Sequence, residues 1–132
     1  MRTQVEFQSS KFPSYGTAEE GVNEEAGVYG KRLAEYLRDQ LTAKGIGVRT
    51  IFPEDWGWMV EIEHDGNFPL WIGCNSIDDG FLCFIEPSKP VIRKGLKKID
   101  VRESVENLAD ALYSILQADE GITEVRWVDE AD

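Results

Sequence analysis

Between Trp56 and Glu86 the chain passes three times through alternating apolar residues, and a turn signal sits at each break. Asp65-Gly66 separates Trp56–His64 from Phe68–Cys74, and Asp78-Asp79-Gly80 separates that run from Phe81–Glu86. Period-two alternation interrupted by Asp-Gly pairs marks strands joined by tight turns. An antiparallel meander is therefore expected, and the remaining segments must pack around it.

The turns also imply a register. With Asp65-Gly66 as a two-residue turn, and Asp78-Asp79 as the second, Gly57 faces Cys74 and Cys83, and Trp58 faces Gly73 and Phe84. One face of the three strands then carries Trp58, Val60, Ile62, Trp71, Leu82 and Phe84. The other carries Met59, Phe68, Leu70, Ile72, Cys74, Phe81, Cys83 and Ile85. Both faces are apolar, whereas a half-solvated antiparallel sheet alternates between apolar and polar. If two helices cover one face, a tryptophan-rich face is left for the 9–22 loop, a second subunit or a partner. A slip of one residue would exchange the faces of a strand.

The flanking segments supply the covering elements. Val5 and Phe7 alternate in a short strand within residues 1–8, and residues 9–22 are rich in turn formers. Thr17 with Glu20, or Asn23 with the glutamates after it, offers a helix start. Tyr29, Leu33, Leu37 and Leu41 then lie at helical spacing up to Lys44 and a capping Gly45. Val48 to Phe52 reads as a strand ended by Pro53. Residues 87–99 read as a connector. Asp100 with Glu103 resembles a capping box, and Val101, Val105, Leu108, Ala109, Leu112, Ile115 and Leu116 line one helical face. Thr123, Val125 and Trp127 alternate in a last strand before the acidic tail Asp129–Asp132. The expected fold is α+β: an antiparallel sheet of about five or six strands with two main helices in a single domain spanning 1–132.

Composition narrows the function. The 132 residues include 25 acidic and 14 basic side chains, a net charge of −11. Such a surface repels nucleic-acid phosphates and anionic lipid and favours a basic partner. No apolar run approaches the ~20 residues needed to cross a bilayer, and the first residues lack the apolar core of a signal peptide. Two cysteines without an export signal point to the cytoplasm and to free thiols.

Each candidate site stands beside a plainer structural role. Cys74 and Cys83 face one another across strands, as a redox or metal pair would, or as small buried hydrophobes, which is the reading favoured here. His64 falls at the far end of the hairpin from Cys74, so a Cys-Cys-His zinc set is not expected. It also lacks a nucleophile to activate. Gly27-Val28-Tyr29-Gly30-Lys31 looks like a phosphate loop, but Glu25 and Arg32 replace the first glycine and the last hydroxyl of that pattern. Close helix–sheet packing is the expected use of these glycines. Lys89, Arg93, Lys94, Lys97 and Lys98 form a run without acids, expected to pair with the protein's own acidic surface.

Pro53-Glu54-Asp55-Trp56-Gly57-Trp58 is the most distinctive local sequence. Tryptophans around a glycine, after two carboxylates, suit a binding anchor or a turn entering the core. Together with Pro69-Leu70-Trp71-Ile72-Gly73-Cys74, Phe84-Ile85-Glu86-Pro87 and the helix ending Ile115-Leu116-Gln117-Ala118-Asp119, this segment resembles a group of small bacterial proteins of unknown function. The resemblance implies a bacterial cytosolic source and transfers no catalytic residue.

No catalytic or cofactor motif stands out, and no cofactor or metal is expected. The sequence favours a non-enzymatic protein-binding module, inhibitor-like or immunity-like, using Glu54, Asp55, Trp56, Trp58, Trp71 and Phe84 against a basic protein or a second copy. The alternative is a small-molecule pocket or an unrecognised enzyme built on Glu54, Asp55, Trp56 and Trp58.

Overall fold

The structure, a computed structural model, describes residues 1–21 and 27–128. Six strands form one antiparallel sheet: β1 (Gln4–Ser9), β2 (Val48–Glu54), β3 (Gly57–Ile62), β4 (Trp71–Ile77), β5 (Gly80–Glu86) and β8 (Ile122–Trp127), in the order β2-β3-β4-β5-β1-β8. A separate two-stranded hairpin comprises β6 (Val91–Lys94) and β7 (Lys97–Asp100). One short helix, α1 (Thr17–Glu20), precedes the two long ones, α2 (Lys31–Ala43) and α3 (Arg102–Ala118). The fold is α+β, as the alternation indicated.

Both long helices lie on one face of the sheet. α2 packs on β2, β3 and β4, α3 packs on β5 and β8, and the two helices touch each other. Leu33, Leu37 and Leu41 of α2 meet Val105, Leu108, Leu112 and Leu116 of α3 in one core with Val5, Phe7, Val60, Ile72, Cys83 and Ile85 of the sheet. Each such aliphatic side chain withdrawn from water stabilises the fold by roughly 1.5–3 kcal/mol.

The second hairpin of the meander has the expected register, with Cys74 opposite Cys83 and Ile77 opposite Gly80. The first is shifted by one residue: Trp58 pairs with Cys74, Met59 with Gly73 and Val60 with Ile72. The connection is longer than a two-residue turn. His64 Nε2 donates to the Phe68 carbonyl at 2.7 Å, while the Gly66 N–H donates to His64 Nδ1 at 3.1 Å. Asp65, Gly66 and Asn67 thus form the loop, and the added residue carries Trp58, Val60 and Ile62 onto the helix-covered face. There they join Ile72, Cys74, Cys83 and Ile85, all buried.

Other boundaries also differ from expectation. The Thr17–Glu20 signal makes a helix of its own, and the long helix starts only at Lys31. The alternative start at Asn23 and the tail 129–132 lie outside the described residues. β2 continues through Pro53, tolerated because an edge strand leaves one side unpaired. Asp100 accepts a hydrogen bond from the Arg102 N–H at 3.0 Å, two residues on, so it is not the N-cap of a capping box. Residues 91–99, part of the stretch 87–99 read as connector, form the β6–β7 hairpin with Asp100 because Ile92 and Ile99 pair and pack partly against the core.

The segment after β1 belongs to the helix side. Phe12 meets Phe7, Phe81 and Tyr36, with ring centroids 6.5, 5.7 and 5.0 Å apart. The loop therefore leaves the opposite sheet face uncovered by these residues.

Candidate functional site

The uncovered face gathers three of the aromatic residues singled out in the sequence. Trp56 occupies the tight turn between β2 and β3, where Glu54 pairs with Gly57. Gly57 has φ +151°, and a Cβ there would lie 2.3 Å from the Cys74 carbonyl oxygen, so the turn needs glycine. This turn folds Trp56 back over the sheet. Its ring stacks on Trp71 at 5.5 Å and 19°, and meets Phe84 edge-on at 4.9 Å. Trp71 and Phe84 close the triangle at 5.6 Å. All three rings are half-buried.

Carboxylates flank the rings. Trp71 pairs with Glu61 on one side and Glu86 on the other, which places both acids on its own face of the sheet. Asp55, exposed, immediately precedes Trp56. Glu61 is 3.8 Å from Arg49, and Glu6, further across the same face, is 3.1 Å from Arg126. Glu86 makes no ion pair among the described residues. Leu82, Met59 and Phe52 extend the apolar strip between these acids. Rings bordered by carboxylates suit an alkylammonium or guanidinium group, which the ring face and the acids attract together.

The other predicted residues lie elsewhere. Trp58 is on the helix side, 6% exposed, with Lys31 Nζ 5.5 Å from its ring centroid. It belongs to the core and is separated from Trp56 by the sheet. Glu54 and Asp55 border a groove of about 310 Å³ with Ala18, Glu19, Glu20, Gly21 and Pro53. Neither Trp56 nor Trp58 lines that groove.

Cys74 and Cys83 are fully buried free thiols in adjacent strands. Burial, and then the hydrogen bond to Cys83, pushes the Cys74 thiol well above its ordinary range, which suppresses the nucleophilic thiolate. His64 spends both ring nitrogens on the β3–β4 loop. Among the described residues no group of His, Cys, Asp and Glu could hold a metal ion, and no helix is long and apolar enough to cross a membrane.

The phosphate-loop-like segment binds an internal anion. Glu20, 1% exposed, sets Oε1 at 3.1 Å from both the Gly30 and Lys31 backbone nitrogens, and Oε2 at 3.2 Å from the Tyr15 N–H. The orphan donors and positive end of α2 are thereby satisfied by the chain's own carboxylate. Of the two glycines expected in close packing, Gly30, just before α2, serves it, since a Cβ there would sit 2.6 Å from the Cys74 carbonyl oxygen, whereas a Cβ at Gly27 would meet nothing within 4 Å. The sequence marked Glu20 only as the partner of Thr17 at a helix start; its role at α2 was not legible because the amides it binds are ten and eleven residues on.

The basic run also departs from expectation. Among the described residues none of Lys89, Arg93, Lys94, Lys97 and Lys98 forms an ion pair; Lys94 instead donates to the Asn67 side-chain and backbone oxygens at 2.6 and 3.3 Å. No family model, curated protein or solved structure matches the chain.

Proposed function

We propose that this chain is a non-enzymatic protein-binding module, inhibitor-like or immunity-like, whose helix-free sheet face receives a basic, partly apolar segment of another protein. The observation that carries this reading is the Trp56–Trp71–Phe84 cluster set between Glu61 and Glu86 on a face that neither long helix covers. Aromatic anchors ringed by polar groups are the usual energetic centres of protein interfaces. The net charge of −11 adds long-range attraction for a basic partner and repulsion of polyanions. Buried, unpaired thiols suit a reducing compartment, and the cytoplasm is the proposed location.

A photo-crosslinking residue at Leu82, in the source cell, tests this reading. A discrete adduct that disappears in a Trp71→Ala/Glu86→Lys background supports it. A crosslinking pattern unchanged by those substitutions, or the lack of any adduct, removes it.

A small-molecule pocket at Glu54, Asp55, Trp56 and Trp58 draws less support. The groove beside Glu54 and Asp55 is shallow and is lined by neither indole.

A further inference from the structure

The β6–β7 hairpin is built in a way that its own stability does not require. Arg93 lies directly opposite Lys98, and Lys94 opposite Lys97, and like charges facing across strands destabilise a ladder. A two-stranded hairpin is marginal in water to begin with. Here it is held at its base by Ile92 and Ile99 on the core, by the Val101 N–H on the Pro90 carbonyl, and by Lys94 on Asn67. Its two-residue turn is Gly95-Leu96, and the Leu96 side chain is 99% exposed, against at most 40% for the other exposed large hydrophobics. The tip is thus a leucine surrounded by cations without anionic partners among the described residues.

The complementary surface is on the same molecule. The Trp56–Trp71–Phe84 cluster offers apolar contact for a leucine and ring faces for cations, and Glu61, Glu86 and Asp55 supply the opposite charge. The hairpin of the same copy is anchored at Asn67 and the core. Four of the 14 basic residues lie in this arm and a fifth, Lys89, just before it, so the rest of the chain is strongly acidic. Within a Debye length of about 8–10 Å that body repels nucleic acid and anionic lipid while it attracts another arm. Glu86 ends β5, and only Pro87–Pro90 separates it from β6. The arm and the Glu61–Trp71–Glu86 row therefore lie at the same end of the sheet, with Trp56 reaching Trp71 from the turn at the other end, and each four-residue strand reaches roughly 13 Å.

We infer that two copies exchange hairpins, each Leu96 tip with Arg93, Lys94, Lys97 and Lys98 docking on the partner copy's aromatic, acid-flanked face. The exchange is reciprocal and closes as a twofold dimer. It rests on the reading of that face given above and names its occupant.

Sedimentation across protein concentration and salt, with charge-swapped variants, tests the inference. Wild-type protein is expected to form a dimer at low salt that dissociates as salt rises. An arm variant, Lys97→Glu/Lys98→Glu, and a face variant, Glu61→Lys/Glu86→Lys, should each be monomeric. An equimolar mixture should restore the dimer, because the reversed arm then meets the reversed face while the native arm meets the native face. Leu96→Ser should weaken the wild-type dimer at least tenfold without changing the circular dichroism. A wild-type monomer throughout, a dimer indifferent to both variants, or a mixture that stays monomeric overturns the inference. So does preferential capture of duplex DNA or phosphatidylserine vesicles by the arm. If the protein is monomeric and the Leu82 adduct with another protein still depends on Trp71 and Glu86, the self-exchange fails and the binding-module reading stands. If those face substitutions change neither readout, both fail.

Discussion

The ring of Phe84 lies directly on Gly73: a Cβ at position 73 would come 2.2 Å from Phe84 Cζ and 2.4 Å from Cε1. Position 73 is a floor for that ring, which then supports Trp56 and Trp71. Gly73→Ala should lift Phe84 and disperse the cluster at a cost of about 1–3 kcal/mol, the usual penalty for overfilling a packed site. Urea titration reads the loss, and near-ultraviolet circular dichroism should show a weakened Trp56–Trp71 signal. Adding Phe84→Leu should recover part of the stability without restoring that signal.

Glu20 is the buried cap of α2. Glu20→Gln keeps the shape but removes the charge from two backbone N–H groups and the helix dipole, and should cost about 1–3 kcal/mol. Hydrogen exchange at the Gly30 and Lys31 amides should accelerate beyond the global change. Unaltered exchange at those two amides would rule out the capping role.

Asp119 gives the fold a pH dependence with a definite sign. It accepts hydrogen bonds from Lys11 Nζ, from Tyr36 Oη at 2.7 Å and from the Gly121 N–H at 2.8 Å. Lys11, followed by Tyr36 and Gly121, holds its carboxyl down to about 2. Because the folded value is depressed, the stabilisation is present above the ordinary Asp pKa of about 3.9 and is lost as pH falls from there through about 2. Asp119→Asn should therefore cost about 1–2 kcal/mol at pH 7, and the gap to wild type should close toward pH 2. Urea midpoints at several pH values measure it.

Cys74 and Cys83 should behave as packing residues. At pH 8 iodoacetamide should label neither in the native protein and both once guanidinium unfolds it, since access to both is closed and burial disfavours the Cys74 thiolate. Rapid labelling of the folded protein would contradict this placement.

Legibility of the fold in the sequence varied with the range of the interactions involved. Asp78-Asp79-Gly80 specified its turn and register locally, and Cys74 faces Cys83 as expected. Asp65-Gly66 is an equally strong turn signal, yet His64 and Phe68 close the loop one residue wider. Read with that width, the apolar set Trp58, Val60 and Ile62 falls in line with Ile72 and Cys74, and Trp58 leaves the candidate site for the core. The β6–β7 hairpin was hidden because its cations masked the Ile92–Ile99 pair and the Gly95 turn. Trp56, Trp71 and Phe84 were visible as residue types, but their meeting depends on the Gly57 turn and the bare backbone at Gly73.

Sheet order has a consequence for how the molecule assembles. β2 to β5 are neighbours in sequence and in space, so those four strands can pair through short loops. β1 must instead insert between β5 and β8, joining residues about 80 and 120 positions apart. β1 precedes β5 and can pair with it once β5 is made, but the outer edge of β1 stays open until Ile122–Trp127, later in the chain, has left the ribosome and pairs with it. An exposed ladder during that interval is the point at which misassembly would begin.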